Sequence, residues 1–376
     1  MDKMRERERE IAIPNLTVII PTFNAEYIER VVDSVINQTI GFENIELIIV
    51  DDNSTDNTKQ ILENFSAKYE NIKPIFLKEN SGTPSKPRNI GIKNSTTDYI
   101  MFLDQDDEYT PEMCEKMYST ITKDDVDLVM CRYSIVDRSN NKIHNNPLFK
   151  DMYSSRNGTA KPHNTKMHNN PLFKRVENVS IVKPQLLPLL YRAFPQVWIN
   201  IYKKSMIINN DIQFPDYLLA EDFYFNLQYY CKIRKVKILS DFVGYNYYLH
   251  ENNTSNSFSY VDSEKNQESF KKLYETYKLM LNFIDNQDKD LYPIKNSLIA
   301  GLTMYFLTSN ISNKSVDKYL DEINPHLKEY KLFTRIPYSN LFLNVGLNII
   351  IKTPHLIKKV IIRALKKILW ILKIRF

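Results

Sequence analysis

Glycine is scarce in this chain, with 7 residues in 376, and no G-x-G-x-x-G follows the first apolar run. That counts against a dinucleotide-binding dehydrogenase. Cysteine is scarcer still. Cys114, Cys131 and Cys231 are odd in number and form no CxxC pair, which excludes a disulfide framework and a zinc ribbon. No stretch supplies the ~20 apolar residues that span a bilayer. The opening, MDKMRERERE, is a charged extension over residues 1–13 and lacks the apolar core of a secretory leader. These absences predict a cytoplasmic protein whose membrane contact is peripheral. The formal net charge is only +5, so nucleic acid is not an expected partner. The length suits two domains, or one large domain with appendages.

Four short runs stand out: LTVII (16–20), ELIIV (46–50), PIFL (74–77) and YIMFL (99–103). They are β-branched or aromatic without alternation, as strands buried on both faces are. Their starts lie 30, 28 and 25 residues apart, the size of a βαβ unit. Between them, Tyr27, Ile28, Val31, Val32, Val35 and Ile36 repeat at helical spacing, as do Ile61, Leu62 and Phe65 after a capping-type NSTDN. An α/β fold with a mostly parallel, Rossmann-like sheet flanked by helices is expected. Ligands of such sheets bind beyond the carboxyl ends of the strands. Here those ends carry Thr22 and Asn24, Asp51 and Asp52, Asn80, and Asp104 and Asp106.

Residues 138–178 form a polar insertion in which HNNPLFK occurs at 144–150 and again at 168–174. One duplication is too little for a solenoid; it reads as a tandem repeat in an exposed loop, with a paired acceptor surface using Phe149 and Phe173 as the functional alternative. Residues 261–376 read as a helical C-terminal region.

Four stretches carry chemistry. In YIMFLDQDDEYTPEM, 99–113, an Asp-x-Asp at a strand end could share a divalent cation, with substrate phosphates completing its shell. Alone, it equally fits an acidic turn capping a helix that starts near Thr110. In VDDNSTDNT, 50–58, helix capping accounts for Ser54 and Thr55, but not for two acids at the strand end. ENSGTPSKPRNIGI, 79–92, reads as a proline-stiffened loop carrying Lys86 and Arg88, whose cations suit phosphate. In LLAEDFYFNLQYY, 218–230, Glu221 and Asp222 head an aromatic helix. The macrodipole favours acids there, and a general base is the functional alternative.

Together, VIIPTFN, IIVDDNSTDNT, SGTPSKPRNIGI, YIMFLDQDD, W-x-N-x-Y-K and F-P-x(5)-E-D, in this order, resemble the inverting family-2 glycosyltransferases of the GT-A fold. The resemblance covers residues 14–260, the implied catalytic domain. It implies Pro21, Thr22 and Phe23 in a nucleoside pocket, Asp52 on uracil, Asn80 beside the uridine, and Arg88 on the nucleotide-sugar with Gln105 alongside. It further implies Asp104 near ribose and phosphate, and Asp106 as main ligand of Mn2+ or Mg2+ with Asp104 assisting; Asp107 itself reads as a cap of the next helix. Asp222 would be the base, supported by Glu221. YYLHENNTSNS, 247–257, is similar to a segment that closes over the diphosphate, with His250 and Ser255 as candidates. The implied activity is transfer of one sugar from a UDP-sugar to a hydroxyl of a bacterial surface-glycan or lipid-linked acceptor. The QxxRW pattern of processive synthases is absent. A nucleotidyltransferase, or a non-catalytic glycan-binding or scaffold protein on the same fold, stays open, as does association into a homo-oligomer.

The tail lacks acidic residues from 331 to 376. On a helical wheel over 352–376, Lys359, Arg363, Lys366, Lys367 and Lys373 share one face opposite Ile357, Val360, Ile361, Leu365 and Ile368. A basic amphipathic helix on an anionic membrane surface, at the inner face of the cell membrane, is expected.

Overall fold

In the computed structural model of the protein, the residues described are 14–137, 142–145, 180–181, 196–216, 219–249 and 263–287, with 291, 294–295, 298–299, 317–318 and 321–322. His250, Ser255, Phe149, Phe173, the second HNNPLFK copy and the 352–376 tail lie outside them.

The chain runs β1 (Leu16–Thr22), α1 (Ile28–Ile36), β2 (Ile45–Asp51), α2 (Thr58–Lys68), β3 (Ile72–Phe76), α3 (Ser85–Asn94) and β4 (Tyr99–Phe102). Next come β5 (Glu108–Tyr109), α4 (Met113–Lys123), β6 (Leu128–Asp137), β7 (Lys142–Asn145), β8 (Ser180–Ile181) and β9 (Asn200–Lys203). The remaining elements are α5 (Lys204–Asn209), α6 (Glu221–Tyr230), β10 (Lys235–Leu249) and α7 (Ser263–Asp285). Among the described residues one sheet has the order β3-β2-β1-β4-β9-β6-β10-β5, with β7 on β6 and β8 on β10. Strands β1 to β4 are mutually parallel; β9 runs antiparallel to β4 and β6, while β6 and β10 are parallel. The α/β, mostly parallel architecture expected from the four apolar runs is what forms. Every residue of β1 and β2 is buried, which is why neither strand alternates.

Three local expectations are corrected. The proline-stiffened stretch is helix α3: Pro84 is its N-cap and Pro87 lies in the first turn, where a missing N–H costs nothing. Gly91 then packs so closely that an added Cβ would lie 2.4 Å from Ile19 Cγ2, tying α3 to β1. Helix α4 begins at Met113 rather than near Thr110. The first HNNPLFK copy is not all loop, because His144 and Asn145 belong to β7, paired with β6.

Sheet order fixes where the site falls. β1 has β2 on one side and β4 on the other, so the connections diverge at the carboxyl ends of β1 and β4 and open a crevice there. No helix among the described residues is long and apolar enough to cross a membrane.

Candidate active site

Two loops at the crevice are laced by side chains. Asn24 and Asn53 take the left-handed conformation, φ +47° and +64°, which asparagine tolerates. Asn24 N–H donates to Ser54 Oγ at 2.9 Å and Asn24 Oδ1 accepts from Thr55 N–H at 2.8 Å. Ser54 also donates to Asp51 through its N–H (3.1 Å) and its hydroxyl. Ser54 and Thr55 therefore bind the loops to each other instead of capping α2, whose N-cap is Asn57 and whose Thr58 N–H is taken by Asp56 Oδ1.

Asp52 is buried and accepts from Ser81 N–H at 3.0 and 2.9 Å and from Ser81 Oγ at 2.9 Å. Asn80 completes the turn: its Nδ2 donates to Asp52 O at 3.0 Å and its Oδ1 accepts from Gly82 N–H at 2.7 Å. Gly82 has φ +76°, the reason for a glycine there. Asp52 and Asn80 thus stand together, but Ser81, which sequence reasoning passed over, already occupies the carboxylate.

Gln105 bridges the crevice. Phe23 N–H donates to Gln105 Oε1 at 2.6 Å, and Gln105 Nε2 donates back to Phe23 O at 3.1 Å. Phe23 is left 40% exposed beside the crevice. Pro21 and Thr22 are buried at the end of β1, and Thr22 Oγ1 has no hydrogen-bond partner.

Arg88 is the centre of the charged part. It sits in α3, only 3% exposed, where a loop cation was expected. Its Nη1 donates to Glu221 Oε1 at 2.9 Å and Asp222 Oδ1 at 2.8 Å, and its Nη2 to Asp104 Oδ1 at 2.7 Å. The guanidinium lies 5.3 Å from the Phe214 ring, which stacks on Phe225 at 4.0 Å. Asn89 pins that loop, exchanging hydrogen bonds with the Phe214 backbone at 2.9 and 3.0 Å. Burial disfavours the Arg88 charge, but Asp222, Asp104 and Glu221 outweigh it and raise its pKa above the ordinary value. Lys86 points elsewhere, lining a cleft of ≈710 Å3 with Lys93 and Lys204.

One cation facing several acids leaves surplus negative charge. Burial pushes the Asp222 carboxyl up to about 7; Arg88 opposes this, while Glu221 and Asp104 add to it. Val197 N–H donates weakly to Asp222 Oδ2, at 3.4 Å. Asp104 is also raised, by burial against the pull of Arg88 and with the push of Asp106. Asp107 is not a helix cap. It is buried, accepting from the Tyr245 hydroxyl and the Tyr248 N–H, each at 2.7 Å, and burial raises its pKa strongly. Tyr245 stacks on Trp198 at 4.1 Å, so the W-x-N-x-Y-K segment supports the acidic turn from below.

The chemistry of Asp104 and Asp106 fits a divalent cation. Both offer hard oxygen donors, and Arg88 takes only Oδ1 of Asp104 among the hydrogen bonds shown. Among the described residues no three His, Cys, Asp or Glu side chains form a cage. A cation here would therefore draw ligands from substrate oxygens, as Mg2+ and Mn2+ commonly do.

Residues 17–176 match the family described as Glycosyl transferase family 2. The chain carries a glycosyl transferase family 2 domain. Around this domain, 251 residues are 29% identical to a poly(ribitol-phosphate) beta-glucosyltransferase of Bacillus spizizenii, covering 66% of this chain but 34% of that one. The chain therefore spans about a third of that relative's length. A second relative is the poly(ribitol-phosphate) beta-N-acetylglucosaminyltransferase TarP of Staphylococcus aureus, 29% identical over 86% of this chain and 89% of that one. The family 2 domain and the residues C-terminal to it also match the solved structure of S. aureus TarS 1-349 in complex with UDP-GlcNAc. The TM-score is 0.66 and the identity 22%, over 94% of this chain and 90% of that one. The fold is thus the GT-A fold implied by the sequence resemblance.

Proposed function

We propose that this chain transfers one sugar, with inversion, from a UDP-sugar to a hydroxyl of an anionic cell-wall polymer of the poly(ribitol-phosphate) type. The observation that carries the reading is the Arg88 hub, which sets a buried aspartate with a raised pKa beside the acidic turn at the sheet's crevice. The names of the two relatives support the acceptor class, and the UDP-GlcNAc bound to TarS supports the donor.

The donor's uracil would stack on the exposed Phe23 ring, with its N3–H toward Asp52, which has lone-pair capacity beyond its Ser81 bonds. Asp104 and Asp106 would hold Mn2+ or Mg2+. Such a cation supplies Lewis-acid stabilisation of the charge that develops on the departing diphosphate. Asp222, fixed by Arg88 and Val197, faces the opposite requirement. The acceptor oxygen bonds the anomeric carbon as the bond to UDP breaks, the bonding pair leaving on the β-phosphate oxygen. Asp222 takes the acceptor's proton, which asks for a carboxylate whose pKa is near the working pH. Glu221 shares Arg88 and keeps that pKa up. Work at the cytoplasmic face, next to the growing polymer, completes the reading.

The test is a donor panel. The purified chain is incubated with Mn2+, poly(ribitol phosphate) and individual nucleotide-sugars, and free nucleotide is measured with and without EDTA. Release of UDP from UDP-GlcNAc or UDP-glucose, abolished by EDTA, is expected. Turnover of a non-uridine donor, or release indifferent to EDTA, would contradict it.

A further inference from the structure

The backbone that delivers the acid pair is strained. Ala220, immediately before Glu221, has φ +59° and ψ +37°, the left-handed region in which an L-residue's Cβ crowds the following carbonyl. The other non-glycine residues with positive φ among those described are Asn24, Asn53, Asp125 and Asp211, whose short polar side chains make the conformation tolerable. Ala220 has no such side chain. It is also the N-cap of α6, a position where Ser, Thr, Asn or Asp normally anchors the helix, and it makes no side-chain cap bond.

The hold comes from outside the segment. The Thr276 hydroxyl, on α7, reaches Leu219 O at 2.5 Å, while its own helix offers the Lys272 carbonyl at 3.1 Å. A helical threonine ordinarily donates back within its helix; here the shorter bond goes across to the carbonyl preceding Ala220. Thr276 is fully buried. Further along α7, Phe283 meets Tyr224 of α6 edge-on at 6.0 Å, so the two helices are in register at both points. Inside α6, Phe223 N–H closes the turn on Ala220 O at 3.1 Å.

We propose that Thr276 is a positioning residue for sugar transfer: through the Leu219 carbonyl it keeps Ala220 left-handed, and so fixes the direction in which α6 presents Glu221 and Asp222 to Arg88. The proposal rests on the reading of Asp222 as the base. It makes the helical region after the sheet part of the active site's geometry.

Thr276→Val keeps the shape and removes the hydroxyl, and Thr276→Ser keeps the hydroxyl. Hydrogen exchange over residues 219–223 of the full chain needs no substrate. Faster exchange in Thr276→Val than in wild type or Thr276→Ser is expected, and equal rates in all three overturn the proposal. In turnover with UDP-GlcNAc, Mn2+ and poly(ribitol phosphate), Thr276→Val should lose about tenfold in kcat with donor KM within about twofold, and Thr276→Ser should recover it. A wild-type kcat in Thr276→Val, or an equal loss in both variants, overturns it as well. Ala220→Gly guards against a valine variant that fails to fold. Glycine accepts the left-handed region without strain but also others, so its Tm should hold or rise while kcat falls; an unchanged kcat counts against the proposal. Asp222→Asn separates the two ideas. If it turns over normally, the base reading fails and the exchange result still decides what Thr276 holds. If it is inactive while Thr276→Val is normal, the positioning role alone fails.

Discussion

The two acidic strand ends of this sheet satisfy their charge in opposite ways. At the end of β2, the hydrogen bonds shown to the Asp51 and Asp52 side chains come from neutral donors of nearby loops, Ser54 and Ser81. At the end of β4, Asp104 is answered by the Arg88 cation, while Asp107 is held by Tyr245 and Tyr248 of β10. The first end is a loop that closes on itself. The second exists only once α3, α6 and β10 have assembled around it, and it keeps more negative charge than one arginine neutralises. Carboxylates oriented by neutral donors suit hydrogen-bond recognition of a base, whereas carboxylates gathered around Arg88 suit a cation and its diphosphate.

Substitutions should separate the two ends. Asp106→Asn removes charge from the second end and should cut kcat by about 10²-fold, through the stabilisation of the leaving group. Steady-state turnover across an Mn2+ titration measures it, and the half-saturating Mn2+ concentration should rise. Asp52→Asn should act mainly on donor recognition, raising donor KM about tenfold, on the order of 1.4 kcal/mol, with kcat nearly kept. A kcat loss as large as that of Asp106→Asn would erase the distinction. Ser81→Ala, the mildest for turnover, removes the hydroxyl's hydrogen bond to the buried Asp52 carboxylate, worth about 2 kcal/mol for a bond to a charged group. It should lower Tm by about 4–8 °C in a melting experiment and leave kcat alone.

Much of this was legible in the sequence, and what was not has physical reasons. Strands β1, β2 and β4 announced themselves because burial on both faces removes alternation, whereas β3, at the sheet edge, is mostly half-buried with Lys73 exposed; the crevice followed from the polar strand ends. α3 hid behind Pro84 and Pro87, residues that break a helix anywhere but at its start. Ser54 and Thr55 looked like caps because their chemistry suits capping; only the left-handed Asn24 opposite them redirects their bonds. Asp107 looked like a cap because its partners lie 138 and 141 residues away. The meeting of Asp104, Arg88 and Asp222 has no local signature. It was implied by the family resemblance, and spacing alone would not have found it. Ser81 and Trp198 stood inside quoted motifs, SGTPSKPRNIGI and W-x-N-x-Y-K, but nothing local assigned them a role, and Thr276 carried no signal at all.

The pH dependence of kcat/KM bears directly on Asp222 as the base, because it reports ionisations of the free enzyme. Asp222 must be deprotonated to accept a proton, and its folded-state pKa is raised to about 7 by burial. Folded protein thus holds this proton where unfolded chain has lost it, so the group's contribution to stability declines as pH rises from about 4 toward about 7 while activity climbs. With Asp222 as the base, log(kcat/KM) rises with unit slope below pH ~7 and levels above it. A profile flat from about pH 5 to about pH 8, or one falling over that range, would contradict Asp222 as the base.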